Sequence, residues 1–365
     1  MIEVKRKDFI ETLGMIQHIT ERRTNQPILS HVLIKSDSKD IQFFVTDLEI
    51  FVRARSTISK GGKFETALPA RELYELAKEL ESETIKFEIT DGKVEIKAKE
   101  GKYQINVLSP SQFPLPKEKE YSYISTLPAK DLHELIDKTA FAASSDESRY
   151  VLTGVLVEID SGYCRFVASD GHRLAFFEKQ EETKQNISFI LPKNGISDIK
   201  RMLTTYQKPF ELYYEKDEVL LKSEDISLWI KTIQEDYPNW KDVIPSEKDI
   251  VSQSIVKTQE IKKSIKRASL FASQRFPYVV LTPQEGKLVV QAESEELGSM
   301  KEELDSDTSG EKDIKVALSI KYLLDAINSV DSPLISIKIS GESSPIVVSP
   351  IGGVGATNVI MPIRI

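Results

Sequence analysis

"VASDGHRLAFFE", residues 167–178, holds an apolar run that stops at Ser169, then Asp170, Gly171, His172 and Arg173, then a second apolar run from Leu174. An Asp beside a His suggests catalysis, and a β-turn between two strands reads the same way. The matching stretch of the first third, "FVTDLEIFVRA", keeps the Asp as Asp47 and lacks the His. Asp-led turns are therefore a repeated structural device. His172 and Arg173 are additions of the middle third, and additions of this kind mark a local binding site. A nucleophile cluster of Cys164, Asp170 and His172 is the rival. Strand alternation puts Cys164, Phe166 and Ala168 on one face, where a lone Cys is core. His172 has no base or nucleophile at a recognisable spacing. The alternative function, a nucleic-acid-processing enzyme using Asp170/His172, is separated by assay of nuclease and hydrolase activity.

Outward from this turn, the chain repeats. "KDFIETLGMIQHIT" from residue 7, "KDLHELIDKTAFAA" from 130 and "QEIKKSIKRASLFA" from 259 each carry one apolar stripe at helical spacing. "ALPARELYELAKEL", "ILPKNGISDIKRML" and "ALSIKYLLDAINSV" open a second series of helices at 67, 190 and 317. Pro114, Pro238 and Pro362 close the units at equal intervals of 124. Between the helices the pattern is of strands. "KFEITDGKVEIKAK" alternates about Asp91-Gly92, a two-residue hairpin signal. The order predicts an α+β fold of three tandem domains, 1–120, 121–245 and 246–365, with antiparallel sheets and helices covering one face. Charged joins, "PLPKEKEYSY" and "IPSEKDIVSQ", fit those boundaries.

The 365 residues carry a formal net charge of −8 and one cysteine. That excludes a generic polycation, an intrachain disulfide framework and a multi-cysteine metal site. The four His, at 18, 31, 133 and 172, are scattered, so neither a metal nor a cofactor is expected. No apolar run approaches membrane-spanning length, and "MIEVKRKDFIETL" lacks a secretory core, so the chain is expected in the cytoplasm. The charge is uneven: zero over 1–120, −6 over 121–245 and −2 over 246–365. In the third unit Lys262, Lys263, Lys266 and Arg267 lie opposite Ile261, Ile265 and Ala268 on one helix. Arg22-Arg23 and Lys200-Arg201 add basic pairs. A basic stripe on an acidic protein suits a surface that tracks a polyanion backbone.

With "SRYVLTGVLVEI" (148–159), "VASDGHRLA" (167–175) and the terminal "VIMPIRI" (359–365), the whole chain resembles the bacterial DNA polymerase III β subunit, the sliding-clamp family. The resemblance implies a ring-forming clamp fold, with sheets outside and helices inside, closed as a head-to-tail homodimer around duplex DNA. It implies a processivity factor with no catalysis and no cofactor. Its partners would be the replicative DNA polymerase α subunit, the clamp loader, and other polymerases and repair proteins bearing short peptide motifs.

By position, the resemblance carries a peptide pocket onto Arg149, Leu152, Ser169, Gly171, His172, Arg173 and Leu174 as one side. Pro238 and Val243 become the floor. Pro345, Val359, Met361, Pro362, Ile363 and Arg364 close it. Arg23, Tyr150, Lys200, Arg201 and the 262–267 stripe become DNA contacts. Tyr103, Ile105, Leu108, Leu270 and Phe271 become the dimer interface. Val151, Ser169, Pro345, Ile363 and Asp146 depart from the residues usual in the family.

Overall fold

The computed structural model describes every residue except 21–24, 38, 118, 161, 182, 184 and 365. Among the described residues six α-helices recur in step with the repeat: α1 (Arg6–Ile16), α2 (Ala70–Glu79), α3 (Ala129–Asp137), α4 (Lys193–Leu203), α5 (Thr258–Ala268) and α6 (Ile320–Asn328). Each buries the stripe its spacing predicts. Phe9, Leu13 and Ile16 of α1 are buried, as are Ile261, Ile265 and Ala268 of α5. α3 stops at Asp137, so Thr139 lies beyond it, buried in the turn that follows.

Packing groups the residues into two compact units, 1–133 with 194–232, and 134–193 with 233–365. In the first, an eight-stranded antiparallel sheet runs Ser122–Leu127, Phe210–Glu215, Glu218–Lys222, Ile226–Lys231, Ile50–Thr57, Asp40–Thr46, His31–Ser36, Phe64–Pro69. A five-stranded sheet runs Lys60–Gly61, Ile2–Lys5, Thr84–Thr90, Lys93–Lys97, Lys102–Asn106. The hairpin at Asp91-Gly92 forms as its sequence predicts, both residues at positive φ (48° and 71°). Phe9 packs between the sheets, 5.4 Å from Phe43 and 5.2 Å from Phe87 by ring centroids. Truncating so buried a ring costs about 3–5 kcal/mol.

The second unit holds one run of twelve strands. It begins Ile187–Pro192, Gly154–Asp160, Tyr163–Ser169, Arg173–Gln180 and continues through Thr357–Ile360, Ile346–Ile351, Leu334–Ile339 and Ser252–Lys257. Gly298–Gly310, Lys287–Ser294, Tyr278–Gln284 and Val316–Ser319 complete it. α5 and α6 cover this sheet with Ile261, Ile265, Leu323 and Ile327, which share one core with Val279, Leu288 and Ile337. The middle third thus contributes to both units. Its strand Ile226–Lys231 pairs with Ile50–Thr57, and its strand Arg173–Gln180 pairs with Thr357–Ile360.

Candidate functional site

The opening stretch is a turn held by its own side chains. Ser169 Oγ donates to the Arg173 carbonyl (2.8 Å) and accepts from Gly171 N (3.1 Å). Asp170 Oδ1 accepts from His172 N (2.9 Å) and Arg173 N (3.0 Å). The first third builds the same network. Thr46 Oγ1 donates to Ile50 O (2.6 Å) and accepts from Leu48 N (2.9 Å), while Asp47 Oδ1 accepts from Glu49 N (3.0 Å) and Ile50 N (2.7 Å). Gly171 and Leu48 take the same left-handed position, at φ 86° and 77°. Asp170 is therefore occupied by turn amides and by Arg173, and it is not a free partner for His172. Cys164 is fully buried and its thiol is pushed up to about 12 by burial, so it is no nucleophile. Among the described residues no three His, Cys, Asp or Glu side chains cluster to hold a metal.

The strand leaving this turn pairs with the chain's last strand: Arg173 opposite Ile360, Leu174 opposite Val359. The Met361 amide then donates to the His172 carbonyl (2.9 Å), and the Ile363 amide donates to Ala317 O (2.8 Å). The tail is thereby fixed beside the DGHR turn. Leu174 and Val359 are buried in a cluster with Val167, Val347, Ile233 and Trp240. They form an apolar base beside the turn; Pro238 and Val243, expected as the floor of the site, are exposed. Val243 (47% exposed), Met361 (41%) and Ile363 (36%) leave apolar surface open around that base. Leu152 and Pro345 are half-buried, and Pro362 likewise; Arg364 is exposed.

Arg173 stands where the turn meets α6. It is 8% exposed and turns inward. Its guanidinium donates to Asp170 Oδ2 (3.1 Å), Asp325 Oδ2 (2.6 Å) and the Phe141 carbonyl (2.6 Å), and lies over the Tyr322 ring at 4.5 Å. It ties the turn to α6 and also lines the cleft beside the turn. Arg149 braces the turn from the other side, donating to Asp170 O (3.0 Å). Arg149, His172, Lys193, Lys321 and Tyr322 line a polar cleft of about 360 Å³ beside the apolar base. Sequence reading missed Lys321, Tyr322 and Asp325, which are more than 140 residues from the turn and carry no signal pointing to it.

Among the expected DNA contacts, Arg22 and Arg23 lie outside the described residues. Lys263 and Lys266 of α5 are exposed and Lys262 is half-buried; no ion pair engages them among the described residues. Arg267 differs: it forks onto Glu302 at 2.5 and 2.6 Å, so its charge is already neutralised. Tyr150 is exposed (52%), and Asp146 next to it caps the turn by accepting from Ser148 N (3.0 Å). Lys200 is half-buried and Arg201 exposed at the end of α4.

Among the expected interface residues, Tyr103 and Ile105 are half-buried on the outermost strand of the five-stranded sheet. Leu270 is 68% exposed, and Phe271 packs on the core beneath α5. Leu108 bridges to Ala67 and is half-buried, like Tyr103 and Ile105, against the core cluster of its own unit. Phe276, 67% exposed and six residues beyond Leu270 in the chain, was not anticipated.

Comparison with known proteins bears on all of this. Family models for the N-terminal, central and C-terminal domains of the DNA polymerase III beta subunit match residues 1–117, 126–239 and 241–364. The beta sliding clamp of Pseudomonas aeruginosa is 24% identical over 368 residues, covering 99% of each chain. That of Caulobacter vibrioides is 26% identical over 374 residues, covering 100% of each. Among solved structures, the P. aeruginosa DnaN sliding clamp bound to griselimycin superposes with a TM-score of 0.95 at 24% identity, covering 100% of this chain and 99% of that one. The C. crescentus beta sliding clamp gives 0.93 at 26% identity, covering 100% and 98%.

Proposed function

Because the chain belongs to the DNA polymerase III beta-subunit family and is a non-catalytic DNA sliding clamp, we propose that it acts in the cytoplasm as a head-to-tail homodimer closed around duplex DNA. The domains are 1–120, 121–245 and 246–365. One observation carries the dimer. The strand after the Asp-led turn receives an added strand in the first copy and again in the middle copy: Ile226–Lys231 on Ile50–Thr57, and Thr357–Ile360 on Arg173–Gln180. The third copy's equivalent, Gly298–Gly310, pairs with Lys287–Ser294 over 298–305 and meets Ser252–Lys257 only from residue 306 onward. Among the described residues its other edge over 298–305 has no partner strand. The strand equivalent to the added one is Lys102–Asn106, which ends its own sheet unpaired. An open strand edge is a template for another chain, and such a heterologous contact closes a ring when its rotation closes.

Equivalence also supports one register for this pairing. The inward side chains Val52, Ala175 and Met300 correspond, and Leu228, which lies opposite Val52, corresponds to Tyr103. Tyr103 then faces Met300, and Gln104 faces Ser299, in the partner. Phe271 and Met300 sit half-buried at that flank of the third core, where Tyr103 would cover them. Gln104→Cys with Ser299→Cys should oxidise to covalent dimers, because directly opposed Cβ atoms are ~5 Å apart. Covalent dimers only from pairs set one residue away would refute the register. The native Cys164 is buried and will not interfere.

The clamp would slide on phosphate contacts from Lys262, Lys263, Lys266, Tyr150, Lys200 and Arg201, with Arg23 by family resemblance; such contacts carry no sequence preference. Its partners would be the replicative polymerase α subunit, the clamp loader and other polymerases and repair proteins. These would place short apolar motifs on the base made by Leu174 and Val359, between Val243, Met361 and Ile363, with Arg149, Leu152, Ser169, Gly171, His172, Pro238, Pro345, Pro362 and Arg364 around it. The P. aeruginosa and Bartonella birtlesii clamps solved with griselimycin support a ligand-taking surface in this family. The deciding experiment loads the dimer onto nicked circular DNA and linearises the circle. Loss on cutting supports encirclement; equal retention on linear DNA refutes it.

A further inference from the structure

The repeat puts one more pair of positions at each join between copies. Met15, Lys138 and Arg267 each stand nine residues past the start of α1, α3 and α5, at 6, 129 and 258. Glu81, Thr204 and Asp331 each stand eleven past the start of α2, α4 and α6, at 70, 193 and 320. Glu81 and Asp331 also precede the next strand, at Thr84 and Leu334, by the same three residues. At the join of the first and middle copies, Met15 and Thr204 line one cleft. At the join of the middle and third copies, Lys138 forms an ion pair with Asp331, and its side chain is only 4% exposed. The two positions left over are Arg267 of the third copy and Glu81 of the first, the copies that the closed dimer joins.

Both residues have capacity to spare. Arg267 gives Nε and Nη2 to the Glu302 carboxylate (2.5 and 2.6 Å). A guanidinium carries five donors, so Nη1 is left over on a side chain that is 51% exposed. Glu81 is exposed, and no cation engages its carboxylate among the described residues. Its backbone is nonetheless fixed: the Glu81 amide donates to Glu100 Oε1 (2.6 Å) and the Ser82 hydroxyl to Glu100 Oε2 (2.7 Å). The strand register reaches the same pair by another route. With Tyr103 opposite the partner's Met300 in an antiparallel ladder, Gly101 falls opposite the partner's Glu302. Glu81 is tied to Glu100, next to Gly101, and Arg267 is tied to Glu302. The third copy is built alike. Asp331 pairs with Val354, just ahead of the strand Thr357–Ile360 that is added to Arg173–Gln180.

We propose that Glu81 of each protomer forms an ion pair with Arg267 of its partner. That guanidinium then holds Glu302 of its own chain on one side and a carboxylate of the other chain on the next. The contact repeats between chains what Lys138 and Asp331 make within one. A planar fork suits the task, since it can present donors to two carboxylates at once. The contact rests on the closed dimer proposed above, and the two-fold symmetry of that dimer makes it twice.

Sedimentation of the fluorescently labelled whole chain measures the dimer dissociation constant. Glu81→Gln and Arg267→Gln should each raise it about 25-fold, from about fivefold at each of two equivalent contacts. The double variant should stay within about threefold of Arg267→Gln, because the second substitution removes a contact already lost. Glu83→Gln, which removes the same charge two residues away, should stay within about threefold of the unsubstituted chain, since exposed charges out of contact are screened. The cysteine pair at 104 and 299 reads the dimer independently of this contact. A monomeric unsubstituted chain that also forms no covalent dimer overturns the closed dimer and this contact with it. A dimer that Glu81→Gln leaves unchanged, or whose two losses simply multiply in the double variant, overturns the contact and leaves the dimer standing.

Discussion

Replacing His18 by phenylalanine should unmask a pH dependence that the unsubstituted chain hides. Asp198 is raised from 3.8 to about 7, by burial first and then by Asp47. Between those values the folded state holds a proton the unfolded state has lost, so stability falls as pH rises. His18 is lowered from 6.5 to about 4. Between those values the folded state lacks a proton the unfolded state holds, so stability rises with pH. From about pH 4 to 6.5 the two slopes cancel. At ~1.4 kcal/mol per unit, the Asp198 contribution is ~4 kcal/mol and the His18 contribution ~3 kcal/mol, both as upper figures because the carboxylate keeps 22% of its exposure. His18→Phe should thus lose up to ~3 kcal/mol between pH 4 and 6.5 relative to the unsubstituted chain, and Asp198→Asn should gain a similar amount. The double variant should be flat again. Urea midpoints at matched pH values measure this, with all other titrating groups common to the four proteins. A His18→Phe profile parallel to that of the unsubstituted chain would refute the reasoning.

Three further outcomes follow from the same geometry. Leu48→Gly should stabilise by about 1 kcal/mol by relieving a left-handed leucine, while Gly171→Ala should destabilise by about 1–2 kcal/mol because its Cβ would fall 2.3 Å from Arg149 Nη1; denaturant titration checks both. Arg173→Met should cost about 3–5 kcal/mol by leaving Asp170 and Asp325 without their buried counter-charge, and should loosen the His172 turn, read as faster amide exchange at 170–173. Lys266→Gln should lower the salt slope of direct DNA binding by about 1, and Arg267→Gln by distinctly less, since Glu302 already holds that guanidinium; equal slopes would contradict it.

The repeat, the helical stripes and the Asp91-Gly92 hairpin were legible because each is local: a period, a 3.6-residue spacing, a two-residue turn. The apolar base of the candidate pocket was legible only through family resemblance. Nothing in the residues alone says that Leu174 meets Val359 across a ladder. The direction of a charged side chain at a turn was not legible. Arg173 reads as a charge offered to a ligand, yet position 50, its counterpart in the first copy, holds a buried Ile. The site in the fold is a core site, and the middle copy fills it with a cation that must find Asp325 and Tyr322 in α6.

That comparison also explains why the repeat and the packing divide the chain differently. Each copy carries one strand that accepts a neighbour and one that is added to a neighbour. Ile50–Thr57 and Arg173–Gln180 accept; Ile226–Lys231 and Thr357–Ile360 are added. Every junction so made is continuous backbone hydrogen bonding and cannot be told from the interior of a sheet, so the middle copy is drawn into both compact units. The same rule leaves Lys102–Asn106 with nothing to join and Gly298–Gly310 with half an edge open. A chain of three such copies cannot satisfy both ends by itself in sequence order; a second copy of the chain satisfies both at once, twice over, and that arithmetic is the strongest physical argument for the closed dimer.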